Sequence, residues 1–285
     1  MFMKFALTAA ESYVPGGVEL SQACARTTHL AVGAHQDDLE IMAFDGIIQC
    51  FQRADRWFSA VVVTNGGGSP RTGLYASLTD EEMMAVRRTE QKKAAMIGDY
   101  SVQVLLNHPS ASVKDGNNAD VVNDLYAILD AMRPEVVYTH NLADKHDTHV
   151  GVTLKLIAAI RKMAPETRPG KVYGCEVWRD LDWMHDPDKV VFDVSSHENL
   201  QAALLGVFDS QVAGGKRYDL ATLGRRRAHA TYFASHNVDA ATGINFAMDL
   251  TPLVQDDTLS PRALFQEYVR HFTEEVVERM GKAGG

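Results

Sequence analysis

The decapeptide AVGAHQDDLE (31–40) puts a histidine and two adjacent aspartates at the end of an apolar run. A second polar cluster, THNLADKHDTH (139–149), closes another such run and offers His140, His146 and His149. Imidazole nitrogen and carboxylate oxygen are good donors for zinc and related divalent metals. His35 and Asp38 lie three residues apart, and a strand-to-helix turn lets both face one cleft. A third donor must come from His140, His146 or His149. His149 would stand in the first turn of the next helix, with His146 just before it. Three protein donors leave room for water, whose pKa a metal lowers. Hydrolysis also needs a base and an acid. Asp37, next to Asp38, is the natural base. His146, as imidazolium beside a ligating His149, can stabilise an oxyanion or protonate an amine leaving group. The bland alternative is a solvated polar turn. Paired aspartates often cap helices, and the chain has 11 histidines. That alternative explains one aspartate but not the histidine before it.

These residues need rigid elements to carry them. Short β-branched runs predict strands at 28–34, 58–65, 101–106, 135–140, 171–178 and 189–194. Their near-continuous apolar character suits a sheet covered on both faces. Between them, apolar residues at three- and four-residue spacing predict helices over 39–54, 79–98, 118–134 and 147–163. Thr79 is an expected N-cap and Gly98 an expected end. Alternating strands and helices predict an α/β, Rossmann-like, mostly parallel sheet with helices on both faces, followed by a helical C-terminal extension from about residue 200. No linker divides the chain, so one domain is expected over 1–285, with its catalytic core at about 28–200. In such sheets ligands bind beyond the carboxyl ends of the strands. AHQDD, TNGGGS and THNLADKHDTH all follow strands, so they converge on one sheet edge.

At these residues the chain resembles the LmbE-like (PIG-L) zinc-dependent N-deacetylases. AHQDDLE resembles the family's A-H-P-D-D-E signature, and HNLADKHDTH its second motif, which ends in an H-x-x-H pair. VVVTNGGGS is similar to its second-strand turn, and AVRRTEQKKAAMIG to the following helix with an R-x-x-E core. The likeness spans about residues 28–178. It implies a Rossmann-like fold and removal of acetyl groups, most often from N-acetylglucosamine-type conjugates. It further implies Zn2+ held by His35, Asp38 and His149, with Asp37 as general base and His146 as second catalytic histidine. Arg87 matches an arginine that helps hold substrate in some members, and members often form trimers or hexamers. The chain departs from the signature at Gln36, which replaces proline, and at Leu39, which displaces the acid to Glu40. In the second motif, H-P-D-H becomes His146-Asp147-Thr148-His149.

Composition bounds the rest. A net charge of −9 argues against a nucleic-acid partner and against anionic membranes. Cys24, Cys50 and Cys175 are too few and too scattered for a disulfide framework, so reduced buried thiols are expected. The N-terminus lacks the apolar length of a secretory signal, and no apolar run is long enough for a membrane span. A cytoplasmic hydrolase with a small-molecule N-acetyl amino-sugar substrate is the expectation. Iron, cobalt or manganese could replace zinc in such a donor set. A non-catalytic metal- or ligand-binding α/β protein and a Rossmann-like nucleotide-binding enzyme are the alternatives. The loop NGGGSPRTG (65–73) lacks G-x-G-x-x-G spacing and is expected to line the cleft instead. In GRRRAHATYF (224–233) the three arginines read as a solvated helix face, with an acidic-substrate or subunit contact as the alternative. Tyr173, Trp178 and Trp183 are expected in the core or the pocket wall. Of the remaining histidines, His140 and His236 are the candidates for proximity to the site.

Overall fold

The computed structural model describes residues 3–285. Among these residues eight strands form one sheet: β1 (Glu11–Tyr13), β2 (His29–Gly33), β3 (Phe58–Thr64), β4 (Gln103–His108), β5 (Val136–His140), β6 (Lys171–Cys175), β7 (Lys189–Asp193) and β8 (Ile244–Asp249). The order across the sheet is β1-β4-β3-β2-β5-β6-β8-β7. The pairs from β4 through β6 are all parallel, whereas β1, β8 and β7 join antiparallel at the edges. The helices are α1 (Leu20–Ala25), α2 (Asp38–Met42), α3 (Phe44–Cys50), α4 (Asp80–Ile97), α5 (Ser110–Lys114) and α6 (Asp120–Met132). They continue as α7 (Asp147–Arg161), α8 (Glu198–Gly206), α9 (Asp209–Val212), α10 (Tyr218–Tyr232), α11 (Thr251–Gln255) and α12 (Pro261–Lys282). The mostly parallel, Rossmann-like α/β fold and the helical C-terminal region are both present.

β2 and β3 are buried along their whole length. Side chains alternate along a strand, so Leu30 and Val32 join one core with α6 and α7, built on Leu125, Ile128, Leu156 and Ile160. Ala31, Ala60 and Val62 face the other way, onto Phe44, Ile47, Ala94 and Leu204. Strand order runs β2, β3, β4 to one side of β2 and β5, β6 to the other. The gap between the ends of β2 and β5 is therefore the topological switch point, where such sheets open a crevice.

Three local outcomes differ from the sequence expectation. The helix expected over 39–54 is two helices, α2 and α3, broken at Ala43. The carbonyls of Glu40 and Ile41, at the break, accept from the Arg226 guanidinium at 3.1 and 2.9 Å. β1 and β8 go beyond the expected strands, and β8 lies within the stretch read as helical. Its sequence INFAMD mixes helix-favouring Ala and Met into a short run, yet burial between β6 and β7 decides for strand. By contrast α4 begins as expected. Thr79 accepts from the Glu82 N–H, and Glu82 accepts from the Thr79 N–H, a complete capping box.

Candidate active site

β2 runs into the site and stops at Gly33, where an added Cβ would lie 3.0 Å from the Leu39 side chain and 3.2 Å from the Asp38 Cβ. Without a side chain at 33, the chain can fold back at once, and Asp38 opens α2. Asp38 Oδ2 accepts from the His35 N–H at 2.7 Å. The same oxygen is 3.3 Å from His35 Nδ1 and 3.3 Å from His149 Nε2. His35 Nδ1 and His149 Nε2 are 3.1 Å apart. These donor atoms form a nearly equilateral triangle. Ligands bound about 2.0–2.1 Å from a tetrahedral zinc lie roughly 3.3 Å from one another, so the set fits such an ion.

The structure also separates the histidines of the second cluster. His140, at the end of β5, spends Nε2 on the Ala34 N–H at 2.9 Å and so ties β5 to β2. His146 caps α7, its Nδ1 accepting from the Thr148 N–H at 3.2 Å. A neutral His146 ring thus carries its proton on Nε2. His149, one helical turn on, is the member whose free nitrogen reaches His35 and Asp38. Its other nitrogen, Nδ1, lies 3.4 Å from Asp144 Oδ1, a carboxylate placed to orient the ring.

Asp37 sits at φ 89°, a left-handed conformation costly for a residue with a side chain. α4 pins it. Arg87 donates to Asp37 Oδ2 at 3.1 Å, to the Gln36 carbonyl and to Ser69 Oγ. One turn later, Gln91 Oε1 accepts from the Asp37 N–H at 3.3 Å. Gln91 in turn donates to Glu40 Oε1 at 2.9 Å, and Tyr100 donates to the same oxygen at 2.8 Å. Glu40 therefore points away from the cleft and supports the turn from behind. Gln36 is buried against Gly66 (φ +73°), where a Cβ would meet Gln36 Oε1 at 2.4 Å. Gly66 is what lets the glycine-rich loop close over a residue larger than proline.

Electrostatics divides the two aspartates. Burial would raise Asp38, but His149, His140 and His35 hold its carboxyl well below the ordinary range. Burial pushes Asp37 well above that range, with Arg87 pulling the other way. For His149 burial favours the neutral form, yet Asp38 and Asp144 outweigh it and raise the pKa. His146 is lowered, by burial first and then by its His149 and His35 neighbours. A carboxyl with a lowered proton affinity thus lies beside one with a raised proton affinity, the division of labour that acid–base chemistry requires.

The cleft has a volume of about 670 Å³, and His35, Asp37, Asp38, Arg87 and His146 line it. Gly66, Gly68, Ser69 and Pro70 line it too, as expected for the glycine-rich loop. Trp178 also lines it, but Tyr173 packs on Phe192 and Tyr138, and Trp183 packs on Phe265 and Phe272. His236 is exposed and does not line the cleft. Of the three arginines, Arg226 corrects the expected solvated face: it is 2% exposed, and each of its guanidinium nitrogens donates a hydrogen bond inside the protein. Asp144, Gln91 and Tyr218 are residues in or beside the site that the sequence alone does not single out, and it does not say which arginine of the run is buried. Three consecutive helical residues span about 200° of the helix surface, so the run alone does not say which arginine, if any, turns inward.

A parallel sheet with a His–Asp–His donor triangle at its switch point defines the class. The profile of the family described as "PIG-L: GlcNAc-PI de-N-acetylase" matches residues 30–160, so that stretch of the chain is similar to the PIG-L (LmbE-like) family. Among solved structures, the 4-carboxy-2-hydroxymuconate hydratase of Pseudomonas putida aligns with a TM-score of 0.60 and 18% identity, covering 79% of this chain and 96% of its own. A conserved protein of Thermus thermophilus aligns at 0.58 and 20%, covering 76% and 93%. The N,N'-diacetylchitobiose deacetylase of Pyrococcus horikoshii aligns at 0.56 and 17%, covering 77% and 83%. At these identities the likeness is one of fold. No curated protein matches the chain.

Proposed function

We propose that the protein is a metal-dependent N-deacetylase acting on an N-acetyl amino-sugar conjugate. The observation that carries the reading is the triangle of His35 Nδ1, Asp38 Oδ2 and His149 Nε2, with sides of 3.1–3.3 Å, next to a buried, Arg87-held Asp37. Zn2+, or another divalent ion such as Fe2+, would be held there and would polarise the amide carbonyl and acidify water. Asp37 takes the proton of the attacking water as its oxygen joins the acetyl carbon. Arg87 and Gln91 keep that carboxylate aimed, so Arg87 acts here as a positioning residue. His146 donates from Nε2 to the carbonyl oxygen as negative charge builds on it. His146 needs no positive charge for this, since its Nδ1 already holds the Thr148 N–H. As the C–N bond breaks, the proton held on Asp37 passes to the departing amine, and acetate and a free amine leave.

Residues 1–285 act as one unit in this reading. The support is β8, which comes from the C-terminal third and enters the sheet between β6 and β7. A second reading is addition of water to a carbon–carbon double bond, the reaction named for the Pseudomonas putida neighbour, whose TM-score is 0.60. Acetate release decides between them. The purified, metal-reconstituted protein should release acetate from N-acetyl amino-sugar conjugates, and a chelator should abolish it. A panel of such conjugates that releases no acetate overturns the reading.

A further inference from the structure

The cleft wall away from the donor triangle is built from Val177, Trp178, Lys216, Tyr218 and Arg225. It is rigidly tied to the triangle. Asp144, whose Oδ1 faces His149, accepts from the Trp178 N–H through Oδ2 at 3.1 Å. Asn141 donates to the Cys175 and Arg179 carbonyls at 2.9 and 3.3 Å, which fixes the same loop from its other side. Trp178 nevertheless leaves 37% of its surface exposed, with Tyr218 against it edge-on at 6.0 Å. An exposed aromatic face on a fixed backbone is a platform for a sugar ring.

Two cations crowd this platform. Lys216 Nζ lies 5.1 Å from the Trp178 ring centroid. Arg225 donates to the Val177 carbonyl at 2.6 Å, next door in the chain. Among the described residues, neither has a carboxylate within ion-pair distance, which is 4.0 Å. Glu176, the buried acid closest in sequence, is already committed to the Leu181 and Phe246 N–H groups. Among the described residues, the only acids lining the cleft are Asp37 and Asp38. Lys114, from α5, adds a third lining cation without an acidic partner among them. In a chain of net charge −9, this is a local reversal of sign at the mouth of a cleft. Walls of one sign concentrate ligands of the other.

We infer that Lys216 and Arg225 form an anion subsite beside Trp178, and that the substrate is an acidic amino-sugar conjugate whose phosphate or carboxylate they grip. The inference builds on the deacetylase reading and narrows its substrate class. With the ring on Trp178 and the anion between the two cations, the N-acetyl end is directed toward Asp37 and the donor triangle.

The test is calorimetric binding of N-acetylglucosamine, N-acetylglucosamine 1-phosphate and N-acetylmuramic acid to the purified full chain, with acetate release measured in parallel. Acidic sugars should bind about tenfold or more tighter than the neutral one, because charge-assisted contacts are the stronger ones. A preference for one of them identifies the anion as phosphate or as carboxylate. Lys216→Ala with Arg225→Gln should remove the preference. Glutamine keeps a donor for the Val177 carbonyl, so the wall stays folded, and Arg227→Ala on the exposed outer face of α10 should change nothing. Equal binding of neutral and acidic sugars, or a preference that survives the double substitution, overturns the subsite. Acidic preference without acetate release keeps the subsite and refutes deacetylation. Acetate release without acidic preference does the reverse, and no binding with no release refutes both.

Discussion

The residues from β2 through α7 and the residues after about 200 do different work. The first region holds the donor triangle and Asp37, to which the proposed chemistry is assigned, on short turns at the ends of parallel strands, and the family match covers 30–160. The second supplies β8, the buried Arg226 and the cleft wall at Tyr218 and Arg225. One region fixes donor atoms within about 3 Å of each other. The other encloses them and shapes what can approach. The wall can therefore change what approaches while the donor atoms stay in place.

Substitutions can break or sharpen this contrast. Asp37→Asn keeps the shape and removes the base, so kcat should fall about a hundred- to ten-thousand-fold. Substrate dissociation constants should stay within a few-fold. If Asp37→Asn retains near-normal turnover, the chemistry does not reside where the first region places it. Arg226→Met tests the second region. Arg226 holds the Glu40 and Ile41 carbonyls, Asn245 and Gln201, so its loss strands several buried acceptors. Stability in urea should drop by about 3–5 kcal/mol. A drop below about 1 kcal/mol would mean that α10 does not clamp α2.

Gln91→Leu tests how the active turn is braced. It removes the acceptor of the Asp37 N–H and the donor to Glu40. Activity should fall about 10- to 100-fold while bound metal is retained, as for other residues that orient catalytic groups. Unchanged activity would show that Arg87 alone suffices. The smallest effect belongs to the wall. Burial pushes the Glu176 carboxyl from its ordinary 4.5 up to about 7, against the Phe246 and Leu181 N–H groups. A raised acid stabilises the fold below its unfolded pKa, and that contribution is lost as pH rises through the folded value. Between about pH 4.5 and 7 the protein should therefore lose on the order of 1–2 kcal/mol that Glu176→Gln does not lose. His229, 3.5 Å away, has its pKa lowered by burial to about 4 and contributes with the opposite sign. The slope is accordingly read as the difference between the two proteins in urea titrations. Parallel curves for both would contradict it.

Local pattern carried much of the first region into view. Apolar runs located β2 to β6, and the capping box located the start of α4. His35, Asp38 and His149 meet because their turns end strands that the sheet places side by side. The rest was hidden by distance along the chain. Arg226 reaches carbonyls 186 and 185 residues away, and no periodicity encodes such contacts. The break between α2 and α3 follows from that contact, so it was hidden as well. Gln91 looked like an ordinary polar position on a helix, and only the strained φ of Asp37 reveals why an acceptor is required there.

The most direct measurement is metal content after reconstitution, by mass spectrometry, for the natural chain, His149→Ala and Asp37→Asn. The natural chain and Asp37→Asn should each hold one divalent ion per chain, and His149→Ala should hold none, because two donors of the His35–Asp38–His149 set cannot retain it. Full occupancy in His149→Ala, or an empty natural chain, would contradict the account.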